Sequence, residues 1–169
     1  MNTKPVTVYL GLGSNLGNRR NNLAQALESL AQQVRIIRCS SVYDTAPKEN
    51  ADQPRFLNIA VRAKTLLSPE KLLELAKRIE AGLGRTGGLP NSPRPIDIDI
   101  LFYGNLTRHN PTLIIPHPKL TQRSFVLVPL AEIAPHLKHP VTKKKVREML
   151  CELPFEKQDV VKYEEGIDV

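Results

Sequence analysis

The chain of 169 residues has no tryptophan, only two cysteines and an aromatic share of 5%. Cys39 and Cys151 cannot make a disulfide framework in a chain of this length, and neither has neighbours at metal-ligand spacing. Both read as reduced structural thiols. Four Phe and four Tyr fall short of the several stacked rings that a single-stranded RNA platform displays, so nucleic acid is not an expected partner. No apolar stretch approaches the roughly 20 residues needed to cross a bilayer, and the longest, Ile96 to Tyr103, is interrupted by aspartates. A membrane is therefore not expected as a partner either. Residues 1–10 run into a strand pattern without a basic region, an apolar core or a small-residue cleavage site, which implies a cytoplasmic location. No internal repeat is present.

What remains is an ordinary globular composition, 41% hydrophobic and 24% charged, of a length that suits one domain over residues 1–169. The formal net charge of +7 suits an anionic partner but does not choose among nucleic acid, an acidic membrane and a polyphosphate ligand. Much of the surplus lies in Lys143, Lys144, Lys145 and Arg147. With Val141, Val146, Met149 and Leu150 they read as the solvated face of an amphipathic helix near 142–151.

Residues 6–11 read as a strand, GLGSNLGN as a turn capped by Ser14 or Asn15, and the following segment through about Gln33 as a helix with Leu23, Leu27 and Leu30 on one face. The β-branched stretch 34–44 reads as a second strand, followed by a long loop carrying Pro, Asn and Asp. Residues 56–65 alternate strictly. Leu57, Ile59, Val61 and Ala63 form a core face, and Phe56, Asn58, Ala60 and Arg62 look outward. Ser68 and Pro69 open a helix that Gly82 and Gly84 close, with Glu80 and Arg85 flanking its end. A Gly/Pro-rich loop then leads to a strand that places Ile96, Ile98, Ile100 and Phe102 on one face. Beyond it come a short strand, LIIP, and an apolar run, VLVPLAEIAP.

Asp97 and Asp99 lie two apart on that last strand, so their side chains leave the same face with α-carbons about 6.5–7 Å apart. Like charges repel and Asp disfavours strands, so the pair costs stability unless a cation or a pair of arginines sits between them. Hard oxygen ligands of this kind suit magnesium, whose coordination is completed by water and substrate phosphates. The plainer alternative is a polar strand face paired to Arg94 or lysines. Arg85 and Arg94 bracket the preceding loop and suit bidentate grips on phosphate oxygens. Phe56 and Asn58 set a ring beside an amide, which fits a flat ligand with several ring nitrogens, or else a partly covered sheet face. The glycines of GLGSNLGN match neither the dinucleotide fingerprint nor the P-loop. In PHPKLTQRSF, His117, Lys119 and Arg123 could face phosphate.

Taken together, LGLGSNLGNR, DQPRFLN, RIEAGLGR, PRPIDIDILFYG and IPHPKLTQRSFVLVPLAEIAP resemble, in order and spacing over about residues 6–140, the 6-hydroxymethyl-7,8-dihydropterin pyrophosphokinases. The resemblance implies an α+β fold, a three-layer α/β/α sandwich with a ferredoxin-like core. It implies transfer of pyrophosphate from ATP to the pterin alcohol in folate synthesis, with two Mg2+ ions held by Asp97 and Asp99. By the same resemblance Phe56 and Phe125 would sandwich the pterin, Asn58 and Thr45 would bind its edge, and Arg85 and Arg94 would stabilise the transferring group. His117 and Arg123 would hold phosphate or ribose, with Glu80, Ile100 and Leu113 near the nucleotide. A monomer acting on small molecules is the corresponding expectation. Unlike some members, this chain has no tryptophan in the stretch TGGLPNS before Arg94.

Overall fold

The two longest strand patterns pair with each other. In the computed structural model, which describes residues 3–47, 52–84, 92–154, 159–164 and 167, β1 (Val6–Ser14) lies antiparallel to β4 (Phe56–Thr65), with Val6 opposite Thr65 and Ser14 opposite Leu57. Between them run α1 (Arg19–Ala31), β2 (Arg35–Cys39) and β3 (Tyr43–Thr45). After β4 come α2 (Pro69–Gly82), β5 (Asp97–Tyr103), the short pair β6 (Arg108–His109) and β7 (Ile114–Ile115), α3 (Ser124–Ile133), α4 (Val146–Glu152) and β8 (Val160–Lys162). The described strands of the main sheet are ordered β5-β1-β4-β3-β8, with β2 pairing β4 beside β3, and the pairs are antiparallel. The order β5-β1-β4-β2, with α1 and α2 as the two crossovers, is that of a ferredoxin-like core.

Both faces of the sheet are covered. Leu23, Leu27 and Leu30 of α1 and Leu72, Leu75 and Ile79 of α2 pack with Leu10, Leu57, Ile59, Val61 and Ile98 in one core. On the other face Val126, Leu127, Leu130 and Ile133 of α3, with Val146 and Met149 of α4, pack on Tyr9, Ala60, Leu101 and Phe102. The three-layer α+β sandwich is thus observed. Ser68 caps α2 by accepting from the amide of Lys71, and Pro69 fills its first turn, as the sequence reads.

Several local expectations give way to tertiary pairing. GLGS is not a turn: it completes β1, where Gly11 and Gly13 stand opposite Asp99 and Asp97. The cap of α1 is Asn18, accepting from Asn21 at 3.1 Å, while Ser14 and Asn15 are buried. The stretch 34–44 is two strands, both of which pair β4, at different heights. The outward face of β4 is covered by α3, so Asn58 is 8% and Ala60 1% exposed. A bulge in β5, where Leu10 faces Ile100 but Tyr9 faces Phe102, moves Phe102 to the α3 side and Tyr103 to the α1/α2 side. The lysines 143–145 precede α4 instead of lining it: they follow a turn at 140–142, with Lys143 at φ 63 and Lys145 bridged to Lys138. Cys39 is half-buried, its thiol pushed up to about 11 by burial, but Cys151 is exposed and fills no core position. Among the described residues no helix is long and apolar enough to cross a membrane.

Candidate active site

Where α3 stops covering the sheet, a cleft of about 680 Å³, open mouth included, lies over β1, β3, β4 and β5. Its floor at one end is Gly11 and Gly13 of β1, and the first residues of β5 bring Asp97 and Asp99 beside them. Neither glycine needs an unusual backbone; they are thin places in a strand, which let ligand or side chain approach the sheet.

The wall opposite the acids is aromatic and amide. Asn58 of β4 is buried and donates through Nδ2 to Oγ1 of Thr45 at 2.6 Å, so two expected site residues form one unit. Phe56 begins the same strand, and the Arg94 guanidinium lies 5.0 Å above its ring. From the other layer Phe125 enters with the first turn of α3, its ring carrying Arg123 at 5.3 Å. Phe56, Asn58, Thr45, Phe125, Arg94 and Arg123 all line the cleft with the two aspartates.

Burial, then the negative charge of Asp97, pushes the Asp99 carboxyl up to about 7, against the pull of Arg123. His117 Nε2 lies 3.9 Å from Asp99 Oδ1, and its Nδ1 accepts from the amide of Lys119 at 3.2 Å, which leaves the ring proton on Nε2. The bulge explains this placement, since the carbonyl of its extra residue, Leu101, accepts the His117 amide at 3.1 Å. Arg94 Nε is buried without a hydrogen-bond partner, 3.6 Å from Asp97 Oδ2. A cation site fits this donor set. Two adjacent carboxylates, one of them resisting ionisation, gain from a divalent ion, although among the described residues no group of three potential protein ligands occurs. The ion's remaining ligands would come from water and phosphate, as magnesium favours.

Glu80, Ile100 and Leu113 do not line the cleft. Ile100 and Leu113 belong to the α1/α2 core behind β5, and Glu80, 3% exposed, accepts the Ile98 amide at 2.8 Å. Arg85 lies outside the described residues. Sequence reasoning offered Asn15 only as a helix cap, and the structure gives it another role. Its amide donates to the Arg94 carbonyl at 3.1 Å, its Oδ1 accepts the Arg94 amide at 2.8 Å, and its Nδ2 donates to Gln53 Oε1 at 2.9 Å and the Pro54 carbonyl at 3.2 Å. It ties together the segments entering β4 and β5, and no spacing rule signals that. Gly13 was legible in principle, as a glycine inside a strand.

The chain resembles known proteins along most of its length. A family model described as 7,8-dihydro-6-hydroxymethylpterin-pyrophosphokinase (HPPK) matches residues 9–135. A protein of Arabidopsis thaliana named folate synthesis bifunctional protein, mitochondrial, is 49% identical over 127 residues, covering 75% of this chain and 23% of that one. The 2-amino-4-hydroxy-6-hydroxymethyldihydropteridine pyrophosphokinase of Methylorubrum extorquens is 46% identical over 147 residues, covering 86% and 92%. The crystal structure of a Plasmodium falciparum HPPK-DHPS triple mutant with SDX-DHP superposes with a TM-score of 0.72 at 21% identity, over 88% of this chain and 44% of that one, a likeness of fold alone. The chain spans about a quarter of the plant bifunctional proteins it matches. With the family model covering well over half of it, and with a bacterial relative matched nearly end to end, the chain belongs to the 7,8-dihydro-6-hydroxymethylpterin-pyrophosphokinase family.

Proposed function

We propose that this chain transfers the pyrophosphoryl group of ATP to the hydroxymethyl oxygen of 6-hydroxymethyl-7,8-dihydropterin, releasing AMP, as a step of folate synthesis. The observation that carries the reading is that one cleft joins a ring-and-amide wall (Phe56, Phe125, Asn58, Thr45) to a carboxylate-and-arginine wall (Asp97, Asp99, Arg94, Arg123). A pterin is flat and edged with donors and acceptors, so it suits the first wall. A triphosphate is polyanionic, so it suits the second once a cation offsets the acids.

Phe56 and Phe125 would stack on the two faces of the pterin, and Asn58, held by Thr45, would read its edge. That orientation brings the hydroxymethyl oxygen towards the β-phosphorus, turning a bimolecular attack into an oriented one. The O–Pβ bond forms as the bond from Pβ to the α,β-bridging oxygen breaks; AMP keeps that oxygen and the hydroxyl proton is lost. Asp97 and Asp99 would hold two Mg2+ ions, which supply positive charge to the phosphate oxygens. Arg94 and Arg123, with Arg85, would bind the transferring group or nucleotide phosphates. His117 would keep its Nε2 proton towards Asp99 and the nucleotide side, with Glu80, Ile100 and Leu113 behind the acidic strand. A cytoplasmic monomer acting on small molecules and not on nucleic acid belongs to the same reading.

Incubation with ATP, Mg2+ and the dihydropterin alcohol tests reaction class and acceptor together. The reading requires pterin-dependent release of AMP. Release of pyrophosphate would make the chain a nucleotidyl transferase, and turnover indifferent to the pterin would remove the acceptor.

A further inference from the structure

Two walls of the cleft come from different layers. β3 supplies Thr45, and α3 supplies Phe125. Tyr43 and Thr45 are two apart on β3 and share a face, while Phe125 and Glu132 are seven apart on α3 and share a stripe. These two faces meet at Glu132. Tyr43 Oη donates to Glu132 Oε1 at 2.6 Å, and the Ser41 amide and hydroxyl donate to Oε2 at 2.9 and 3.2 Å. Three donors therefore converge on one half-buried carboxylate 91 residues away in sequence from Ser41.

Pro129 lies inside α3 between Phe125 and Glu132 and has no N–H to give to the Phe125 carbonyl. The turn that carries the ring thus lacks one helical bond. The hold at the far end of α3 matters more for that reason. We propose that Glu132 is a positioning residue, latching α3 to β3 so that the distance from Phe125 to the Thr45–Asn58 pair matches the thickness and edge of the pterin ring. The inference rests on the pterin reading above.

A carboxylate is the strongest form of the latch, because its two oxygens take all three donors at once. A glutamine could keep the Ser41 bonds through its oxygen and donate its NH2 to the Tyr43 oxygen, but the charge that strengthens every bond of the set would be gone. Charge-assisted bonds of this kind are also the stronger ones. Although burial alone would raise the Glu132 carboxyl, the bonds from Tyr43 and Ser41 outweigh it and hold the group below its ordinary value.

The test compares Glu132→Gln, Tyr43→Phe and their double variant with the wild-type chain. For each, KM and kcat are measured with the dihydropterin alcohol, along with the dissociation constant of a non-hydrolysable ATP analogue with Mg2+ and the melting temperature. Glu132→Gln should raise the pterin KM about tenfold and Tyr43→Phe about threefold, with the double variant no worse than Glu132→Gln. kcat and the affinity for the ATP analogue should stay within about twofold of wild type. A lower melting temperature with unchanged pterin KM, or equal loss for both ligands, overturns the proposal. Should Glu132→Gln fail to fold, Tyr43→Phe and Ser41→Ala decide it, since each removes only one donor group; wild-type pterin KM in both is again a refutation. A wild-type chain that does not bind the pterin brings down the function reading and the latch together, whereas wild-type binding with indistinguishable variants brings down the latch alone.

Discussion

A β-carbon added to Gly13 would stand 2.5 Å from Oδ1 of Asn58, because β1 and β4 pair these two residues directly across the sheet. The strand is thin here so that the carboxamide can lie flat over it. Gly13→Ala should push that amide aside and break its bond to Thr45, lowering pterin affinity at least about tenfold while the far-ultraviolet spectrum and the affinity for an ATP analogue hold. Unaltered pterin binding in the alanine variant would separate Asn58 from recognition.

The acidic pair predicts a pH dependence with a definite sign. Asp99 is pushed up to about 7 in the fold, by burial and then by Asp97, against about 3.9 in an unfolded chain. Between those values the folded chain holds a proton that the unfolded chain has lost, so this group makes the metal-free protein less stable as pH rises from about 4 to about 7. An ion that needs both carboxylates ionised reverses the cost above that range. The rise in melting temperature on adding Mg2+ should therefore be largest near pH 8 and shrink as pH falls below about 7. Asp99→Asn should melt higher than wild type without metal, show no Mg2+ response and lose activity. A Mg2+ response that survives in Asp99→Asn would move the ion elsewhere.

What could be read from the sequence was local. The Ser68–Pro69 cap and the like-charged pair on β5 each depend on neighbours within a few residues and stand as read, whereas along β4 only the core face does, since α3 covers the other. The failures depend on partners remote in sequence. GLGS looked like a turn because glycine is rare in strands, yet its place opposite Asp97 and Asn58 is what makes glycine necessary. The extra residue at Leu101 exchanges the faces of Phe102 and Tyr103, and no period-2 pattern announces a bulge. Asn15 and Glu132 are polar residues whose partners lie 38 to 91 positions away, so their roles exist only in the folded chain. The site's chemistry was legible because carboxylates and arginines cluster around it; its scaffolding was not.

The sheet edge carries an electrostatic fault that a single substitution should relieve. Arg38 stands opposite Arg62 and Arg35 opposite Lys64 between β2 and β4, and among the described residues none of the four has an acidic partner. Like charges directly opposite one another destabilise a strand pair. Arg38→Glu should stabilise the chain by about 0.5–1 kcal/mol in urea unfolding at low salt, with most of the gain lost at about 1 M NaCl. A gain that salt leaves unchanged would have a cause other than charge.

Glu80 separates hydrogen bonding from charge behind the acidic strand. β5 is the outermost strand on its side of the main sheet, and the Ile98 amide, between Asp97 and Asp99, points away from β1 to Glu80 Oε2 at 2.8 Å. Lys77 Nζ approaches the other oxygen at 3.4 Å, and the carboxylate adds to the charge that raises Asp99. Glu80→Ala leaves a buried amide without that acceptor, which should cost about 1–3 kcal/mol of stability and let the strand bearing both acids shift, so that activity falls as well. Glu80→Gln keeps an oxygen for Ile98 but removes the charge. It should melt close to wild type, and the acid limb of its pH–rate profile should move to lower pH because Asp99 ionises more readily. Thermal melts and pH–rate profiles of the two variants check both halves of the argument; if glutamine and alanine behave alike, the carboxylate does not act through the Ile98 amide.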